Sequence, residues 1–467
     1  MRHYDLCVIG TGPAGQKAAI QAAKLGKSVV AIEKAGSVGG AQINTGTIPS
    51  KALREAAMHL TGSSKRNLFG ENYRVKRKIT VSDLISMSRI VIHNELDVIR
   101  DAFDRNGIEL LWGAAKFIEP HVIQVEHEFG TDRVSADKFV IAVGTRPAKP
   151  SHVPFDGQNV FSSDDVLTMD SLPRNMIVVG GGVIGTEYAC IFATLGVRVT
   201  LIEGRRQVLG FLDQEIAEAF HYHMRNMGVT LRLGEKVNNI EVLPPDNGDG
   251  ELVQATLESG KKLKAQKLLY SIGRQGVCGA LGLDAIGLEY DDRERLSVDE
   301  NYSTSVDYVY AVGDVIGFPA LASTAMEQGR LASCHAFGAP TNSMPQLFPF
   351  GVYSVPEISM VGKTEQQLTD EGIPYEAGVA QYKEIARGQL LGDDIGMLKL
   401  LIHQDDGTIL GVHAIGTGAT ELIHIGQAVM AFGGTVDFFI NNVFNFPTLA
   451  EAYKVAALNG SNKLALV

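Results

Sequence analysis

The chain opens on a short apolar run that ends in glycine, "YDLCVIGTG". An alanine-rich stretch, "PAGQKAAIQAAKLG", follows, and a second apolar run, "SVVAIE", ends at Glu33. The two runs predict strands and the stretch between them a helix reaching about Lys24, which together form a βαβ unit. The same plan returns in "NMIVVGGGVIGTEYACIFATLGVRVTLIEGR". Glu33 follows Gly10 by 23 positions and Glu203 follows Gly180 by the same 23, so one unit occurs twice. Farther on, "FVIAVGTRP" and "LLYSIGRQG" each close a stretch of short alternating strands, like the ends of two equivalent half-domains.

The glycines say what the repeated unit holds. Gly10, Gly12 and Gly15, then Gly180, Gly182 and Gly185, are spaced G-x-G-x-x-G between strand and helix. The first glycine makes the tight turn and the second lets a pyrophosphate approach the backbone. The third lets helix and strand pack closely, and the strand-end acid, Glu33 or Glu203, bonds a ribose hydroxyl. Two such copies predict two bound dinucleotides. A further cue to which turn holds which cofactor is "TSVDYVYAVGDVIGFPALAS", which places Gly313 and Asp314 just after a strand. Asp314 is a candidate to bond the polyol chain of a flavin; the plainer reading is an Asp in a strand-end turn.

Composition narrows the class. A chain of 467 residues exceeds one ordinary core and predicts about three domains. With 45% hydrophobic and 20% charged residues it reads as soluble and globular. A net charge of −11 without a long basic run argues against nucleic acid as a partner. No apolar run approaches membrane-spanning length, and the N-terminal run reads as a strand, so the expected location is the cytoplasm. Cys7, Cys190, Cys278 and Cys334 form no CxxC or zinc-knuckle spacing and read as reduced thiols. His221 and His223 share a helix expected at the surface, His413 and His424 read as packing or interface residues, and Trp112 reads as core; no metal is expected.

Together these residues resemble the pyridine nucleotide–disulfide oxidoreductase family of flavoproteins, over nearly the whole chain. The likeness rests on both glycine fingerprints, "GTIPSKAL", "VIAVGTRP", "YAVGDVIGFPALA" and the terminal "FNFPTLAEAYKVAALNG". It implies an α/β fold with two doubly wound Rossmann-like nucleotide-binding domains and an α+β C-terminal dimerisation domain. The expected segments are a first part of the FAD-binding domain at 1–150, an NAD(P)-binding domain at 151–275, a second FAD part at 276–346 and the dimerisation domain at 347–467. FAD is expected at the first fingerprint, with Gly40, Thr47, Lys51, Gly144, Gly313, Asp314, Leu321, Ala322 and Ser323 around it. NAD(P)(H) is expected at the second, with Glu203, Arg205, Arg206 and Gly273. The implied assembly is a homodimer or a higher homo-oligomer.

The resemblance breaks at the dithiol relay. The family's disulfide members read G-G-x-C-x-N-x-G-C-x-P-S-K, and here Gln42 and Thr47 stand at the cysteine positions of "GGAQINTGTIPSK". The family's histidine before Pro-Thr is Phe446, although the following acid is kept as Glu451. Amide and hydroxyl groups form no disulfide and a phenyl ring carries no proton, so dithiol–disulfide exchange by that route is excluded. Within the family the pattern is most similar to the soluble, Si-specific pyridine nucleotide transhydrogenase branch, which commonly keeps a cysteine at the position of Gln42. That branch implies a ping-pong cycle in which NADPH reduces flavin and NAD⁺ reoxidises it from the same site.

Lys51, on the helix after Pro49, is a candidate to tune flavin N5, and the resemblance implies that Glu187 pairs with it as catalytic residues. The plainer reading is an exposed lysine and a solvated glutamate. "FPALASTAMEQGR" reads as a turn and a helix starting near Ala322–Thr324, whose N–H groups could face the N1–C2=O edge of a flavin; Ser323 and Thr324 could equally be caps. Glu203 suits a free ribose 2′-hydroxyl, whereas Arg205 and Arg206 could bind a 2′-phosphate or be solvated. The alternatives to transhydrogenation are an NAD(P)H dehydrogenase, or diaphorase, passing electrons to quinone, and a non-catalytic nucleotide-binding scaffold.

Overall fold

The computed structural model describes residues 1–63, 66–70, 73, 75–245 and 251–464. The chain divides into two compact units, one of Met1–Ala52, Ser86–Ala148 and Gly273–Pro345, the other of Leu53–Ile85, Lys149–Ile272 and Gln346–Val467.

The first unit is built on a seven-stranded sheet. Arg2–Ile9 lies between Val29–Glu33 and Gly130–Ile141, parallel to both. Every residue of Val29–Glu33 is buried, as a parallel strand covered on both faces requires. The 12-residue strand Gly130–Ile141 does double service. Its first half pairs antiparallel with Val122–His127, and its end pairs parallel with Val309–Ala311. That last pairing brings the third chain segment into the sheet. A helix seam holds it there: Pro13–Lys24 buries Ala14, Ala18, Ala19 and Ala22, and Ala322–Ala336 meets it with small residues. A Cβ on Gly329 would overlap Ala14 O, and Ser333 Oγ donates to Ala18 O (2.7 Å). Trp112, expected in the core, is 41% exposed. It ends the strand Glu109–Trp112, the edge of this sheet among the described residues.

In the second unit five parallel strands follow the order Thr230–Leu233, Arg198–Glu203, Asn175–Val179, Lys267–Tyr270, Val160–Phe161. A separate antiparallel sheet of five strands runs Phe350–Val352, Ile358–Gly362, Ile409–Ile415, Met397–His403, Tyr375–Gln381. One hydrophobic core joins the two sheets: Phe161, Val178, Phe192, Leu201 and Phe220 pack with Val352, Ile358, Met360, Met397 and Ile415. Leu53, Ala56 and Ala57, from the helix Thr47–Thr61, belong to this core too, so the division between units falls within that helix. His221, expected at the surface, is 9% exposed. Its Nε2 accepts the Val208 N–H (3.3 Å), and burial lowers its basicity. No helix among the described residues is long and apolar enough to cross a membrane.

Candidate functional site: two matching dinucleotide turns

The two glycine fingerprints fold alike. Gly10 takes φ +97° with its missing Cβ 2.5 Å from Ala142 O, and Gly180 takes φ +107° with its missing Cβ 2.7 Å from Ser271 O. A side chain at Gly15 would overlap Gly10 O, and one at Gly185 would overlap Gly180 O. By contrast, a Cβ at Gly12 or Gly182 would meet nothing within 4 Å. The second glycine of each motif thus faces open space at the point where a pyrophosphate must come close.

Helix ends point the same way. Gly12 precedes Pro13–Lys24, Gly182 precedes Val183–Thr194 and Leu321 precedes Ala322–Ala336, and none of the three is capped by a side chain. Two helices elsewhere do carry side-chain caps. Asp213 accepts from Glu215 N–H (3.2 Å), and Thr364 accepts from Gln367 N–H (3.3 Å). The N–H groups left over at the fingerprint turns are donors for an anion, reinforced by the helix dipole.

The strand-end acids reach back over their turns. Glu33, buried, accepts from Thr11 N–H (3.0 Å) and Thr11 Oγ1 (2.6 Å) through Oε2, and from Ala35 N–H (2.9 Å) through Oε1. Glu203 accepts from Gly181 N–H (2.7 Å) through Oε2 and from Arg205 N–H (2.9 Å) through Oε1. Here the copies differ: the Arg205 guanidinium folds onto Glu203, with Nε 3.0 Å from Oε1 and Nη2 3.3 Å from Oε2. Burial works to raise the Glu203 carboxyl, but these hydrogen bonds outweigh it and hold it below the ordinary glutamate range. Arg206 is exposed.

Around the first turn, Gly40 packs so closely that its Cβ would sit 2.9 Å from Gly12 Cα. Gly313 has φ +79°, and its N–H donates to Gln328 Oε1 (2.9 Å). Asp314 Oδ2 accepts from Thr145 Oγ1 (3.1 Å), and Arg274 braces the pair by donating to Thr145 Oγ1 (2.7 Å) and Thr145 O (2.8 Å). Gly144 and Gly273 are positive-φ turn residues beside the paired strands Thr145–Pro147 and Arg274–Gly276. The sequence pattern singles out neither Gln328 nor the Thr145–Arg274 pair; the faint signals are a glutamine on a buried helix face and the two "GTRP" and "GRQG" strand ends. Leu321 is the N-cap, Ala322 opens the helix and Ser323 is exposed. Thr324 donates its hydroxyl to Pro319 O (3.0 Å) and Leu321 O (2.9 Å), so it does not cap the helix N–H groups.

Lys51 is half-buried on the helix Thr47–Thr61, with Nζ 3.3 Å from Ser50 Oγ. That helix starts before Pro49, which sits in its first turn, where a missing N–H costs nothing. Thr47 is exposed and Gln42 is half-buried. Glu187, in the second unit, is buried and accepts from Tyr353 N–H (2.8 Å). Phe446 is exposed and Glu451 opens the helix Glu451–Leu464. All four cysteines are buried and free, and burial pushes the Cys190 and Cys278 thiols up to about 12. Asp213, Glu215 and Glu365 place carboxylate oxygens within 4.8 Å of one another, but Lys399 Nζ lies among them.

Paired turns of this kind, each with an open central glycine and an acid behind it, define a protein that binds two dinucleotides. The chain belongs to the pyridine nucleotide–disulphide oxidoreductase family: residues 4–329 match the family so described, and residues 348–457 match its dimerisation domain. It is 53% identical over 466 residues to a soluble pyridine nucleotide transhydrogenase of Mycobacterium tuberculosis, covering 99% of this chain and 98% of that one. It is 46% identical over 469 residues to a soluble pyridine nucleotide transhydrogenase of Vibrio parahaemolyticus, covering 99% of each. Among solved structures, the HOCl-induced flavoprotein disulfide reductase of Escherichia coli superposes with a TM-score of 0.87 at 25% identity, over 97% of this chain and 99% of that one. LpdA of M. tuberculosis superposes with a TM-score of 0.88 at 24% identity, over 98% and 99%.

The glycine geometry makes a separable prediction. Gly12→Ala adds a methyl group to open space in an extended backbone (φ −64°, ψ −179°), so the apoprotein keeps its melting temperature while flavin retention falls. Gly15→Ala collides with the turn itself and lowers the melting temperature of the apoprotein by a cost of about 1–3 kcal/mol. Visible absorbance per chain and thermal unfolding of the flavin-free protein read the two effects.

Proposed function

We propose that this chain is an FAD-dependent transhydrogenase that carries hydride from NADPH to NAD⁺ without a redox disulfide, working as a homodimer in the cytoplasm. The observation that carries the reading is the combination of two intact dinucleotide turns with Gln42, Thr47 and Phe446 where a dithiol relay would need cysteines and histidine. Full-length likeness to relatives bearing the transhydrogenase name supports it. Bound FAD supplies the two-electron store that takes hydride from one nicotinamide and returns it to another.

The rest falls to the protein. Gly12 and the uncapped N–H groups after it receive the pyrophosphate, and Glu33 offers its carboxylate to a ribose hydroxyl while its turn is braced by Thr11. Asp314, fixed by Thr145 and Arg274, would bond the polyol chain of a bound flavin. The N-terminus of Ala322–Ala336 would offer positive potential to the edge of the flavin that gains charge on reduction. Lys51 would supply a cation to stabilise that developing charge. In the second site Arg205 neutralises Glu203, so the carboxylate that bonds a 2′-hydroxyl repels a 2′-phosphate less, and Arg205 and Arg206 are the donors that phosphate would meet. This gives one site for NAD(H) and NADP(H) alike.

An anaerobic half-reaction series tests the reading. The FAD-loaded protein is titrated with NADPH, then NAD⁺, NADP⁺, quinone or oxygen is offered separately. Uptake should end at about two electrons per chain, because no dithiol adds a second pair, and NAD⁺ should reoxidise the protein fastest. An end point of about four electrons, or fast reoxidation by quinone alone, overturns it.

Lys51→Met should slow flavin reduction far more than it weakens nucleotide binding, since a well-placed donor to developing charge is worth about 2–4 kcal/mol. Rapid mixing at varied NADPH separates the two, and equal losses in rate and affinity would make Lys51 a bystander.

Arg205→Ala combined with Arg206→Ala should lower kcat/KM for NADPH relative to NADH by more than about tenfold, because each charge-assisted hydrogen bond contributes about 1.5–3 kcal/mol. Glu203→Ala should move the ratio the other way. A ratio untouched by both changes would mean that this cluster does not read the 2′ position.

A further inference from the structure

The loop carrying Glu203, Arg205 and Arg206 runs on to residue 213, and its course is fixed from two directions. From the nucleotide turn, Gly181 O accepts the Leu209 N–H (2.8 Å). Val208 and Leu209 are fully buried, and Val208 lies where a Cβ on Gly181 would come within 2.9 Å of Val208 Cγ1. Leu209 takes φ +50°, a left-handed conformation that a leucine adopts only when its surroundings impose it.

From the other direction the loop is gripped by the antiparallel sheet. The Phe211 ring lies 5.7 Å from Phe350. Two residues on, Asp213 has no exposed side-chain surface and accepts the Glu365 N–H (3.1 Å) and Lys399 Nζ (2.8 Å). Lys399, on the strand Met397–His403, is itself fully buried and also meets Glu215 (2.8 Å) and Glu365. A lysine with a merely local role would pair within its own sheet. This one reaches the residue that ends the nucleotide loop and caps the next helix. Buried ion clusters often add little net stability, and their best-attested use is to specify one geometry.

We propose that Lys399 is a positioning residue for nucleotide recognition: through Asp213, and alongside the Phe211–Phe350 contact, it holds the 204–213 loop in the course that presents Glu203 and Arg205 to the ribose. This rests on the reading that Glu203 and Arg205 recognise the 2′ position.

The test uses full-length, FAD-loaded protein with Phe211→Ala, Lys399→Met and the double variant Lys399→Met/Asp213→Asn. Phe211 is 40% exposed and its truncation strands no charge, while the double variant keeps an N-cap and removes one of the carboxylates left without Lys399. Each variant should raise KM for NADH and NADPH at least about fivefold while kcat at saturating nucleotide stays within about twofold. Hydrogen exchange of the peptide spanning 204–213 should accelerate at least about tenfold, and that of the strand Asn175–Val179 should not change. If Lys399→Met does not fold, the other two variants decide. Unchanged KM and unchanged loop exchange overturn the proposal, as does a fall in kcat matching the rise in KM. If Glu203→Ala and Arg205→Ala alter the NADPH/NADH ratio but these variants leave KM alone, the positioning role alone fails. If the ratio never moves, the reading of the loop fails first.

Discussion

A single steric constraint organises both nucleotide sites: the helix after each fingerprint crosses its strand so closely that Gly15 and Gly185 have no room for a side chain. That crossing aims the helix N-terminus at the turn and leaves Gly12 and Gly182 facing open space. It also brings the end of the next strand over the turn, where Glu33 and Glu203 each accept a backbone N–H from the residue after the first glycine. Open space, donors at a helix N-terminus and a carboxylate then coincide, the combination on which the proposed binding of a diphosphate joined to a ribose rests.

The two copies share this geometry and differ in how the acid is finished. In the first, Thr11 adds its hydroxyl to Glu33. In the second, Gly181 stands at that position and has no side chain to offer; a Cβ there would lie 3.0 Å from Glu203 Oε2 and 2.9 Å from Val208. The space so freed admits the 204–213 loop, and Arg205 takes over the partnership with Glu203. One small residue thereby separates a turn closed by its own hydroxyl from a turn whose acid is paired with an exposed guanidinium.

A disulfide reductase fold need not carry disulfide chemistry, because reactivity lies in the side chains placed on it. Here the positions that would exchange thiols hold an amide and a hydroxyl, the four cysteines are buried and free, and burial disfavours the thiolate at Cys7, Cys190 and Cys278. Among the described residues, the hydrogen bonds of Glu33, Gly313 and Asp314 run to Thr11, Ala35, Gln328 and Thr145, and not to Gln42, Thr47 or Phe446.

Much of the site was legible in the chain because its signals are local. Glycine spacing, the acid 23 positions on and the alternation of apolar run and helix all act within one βαβ unit, where sequence separation sets spatial separation. The absence of cysteine at 42 and 47 is likewise plain from the residues alone. Long-range packing decided the rest. Trp112 is exposed because its strand is the sheet's edge, and His221 is buried because the nucleotide loop folds onto it. The brace of Thr145 and Arg274 on Asp314 joins segments well over a hundred residues apart. Lys399 stands among apolar residues in the strand Met397–His403, and only the meeting of two sheets in one core surrounds it with Asp213, Glu215 and Glu365. Turn chemistry is written in a few neighbouring residues, whereas the partner of a buried charge is chosen by which surfaces the whole chain brings together.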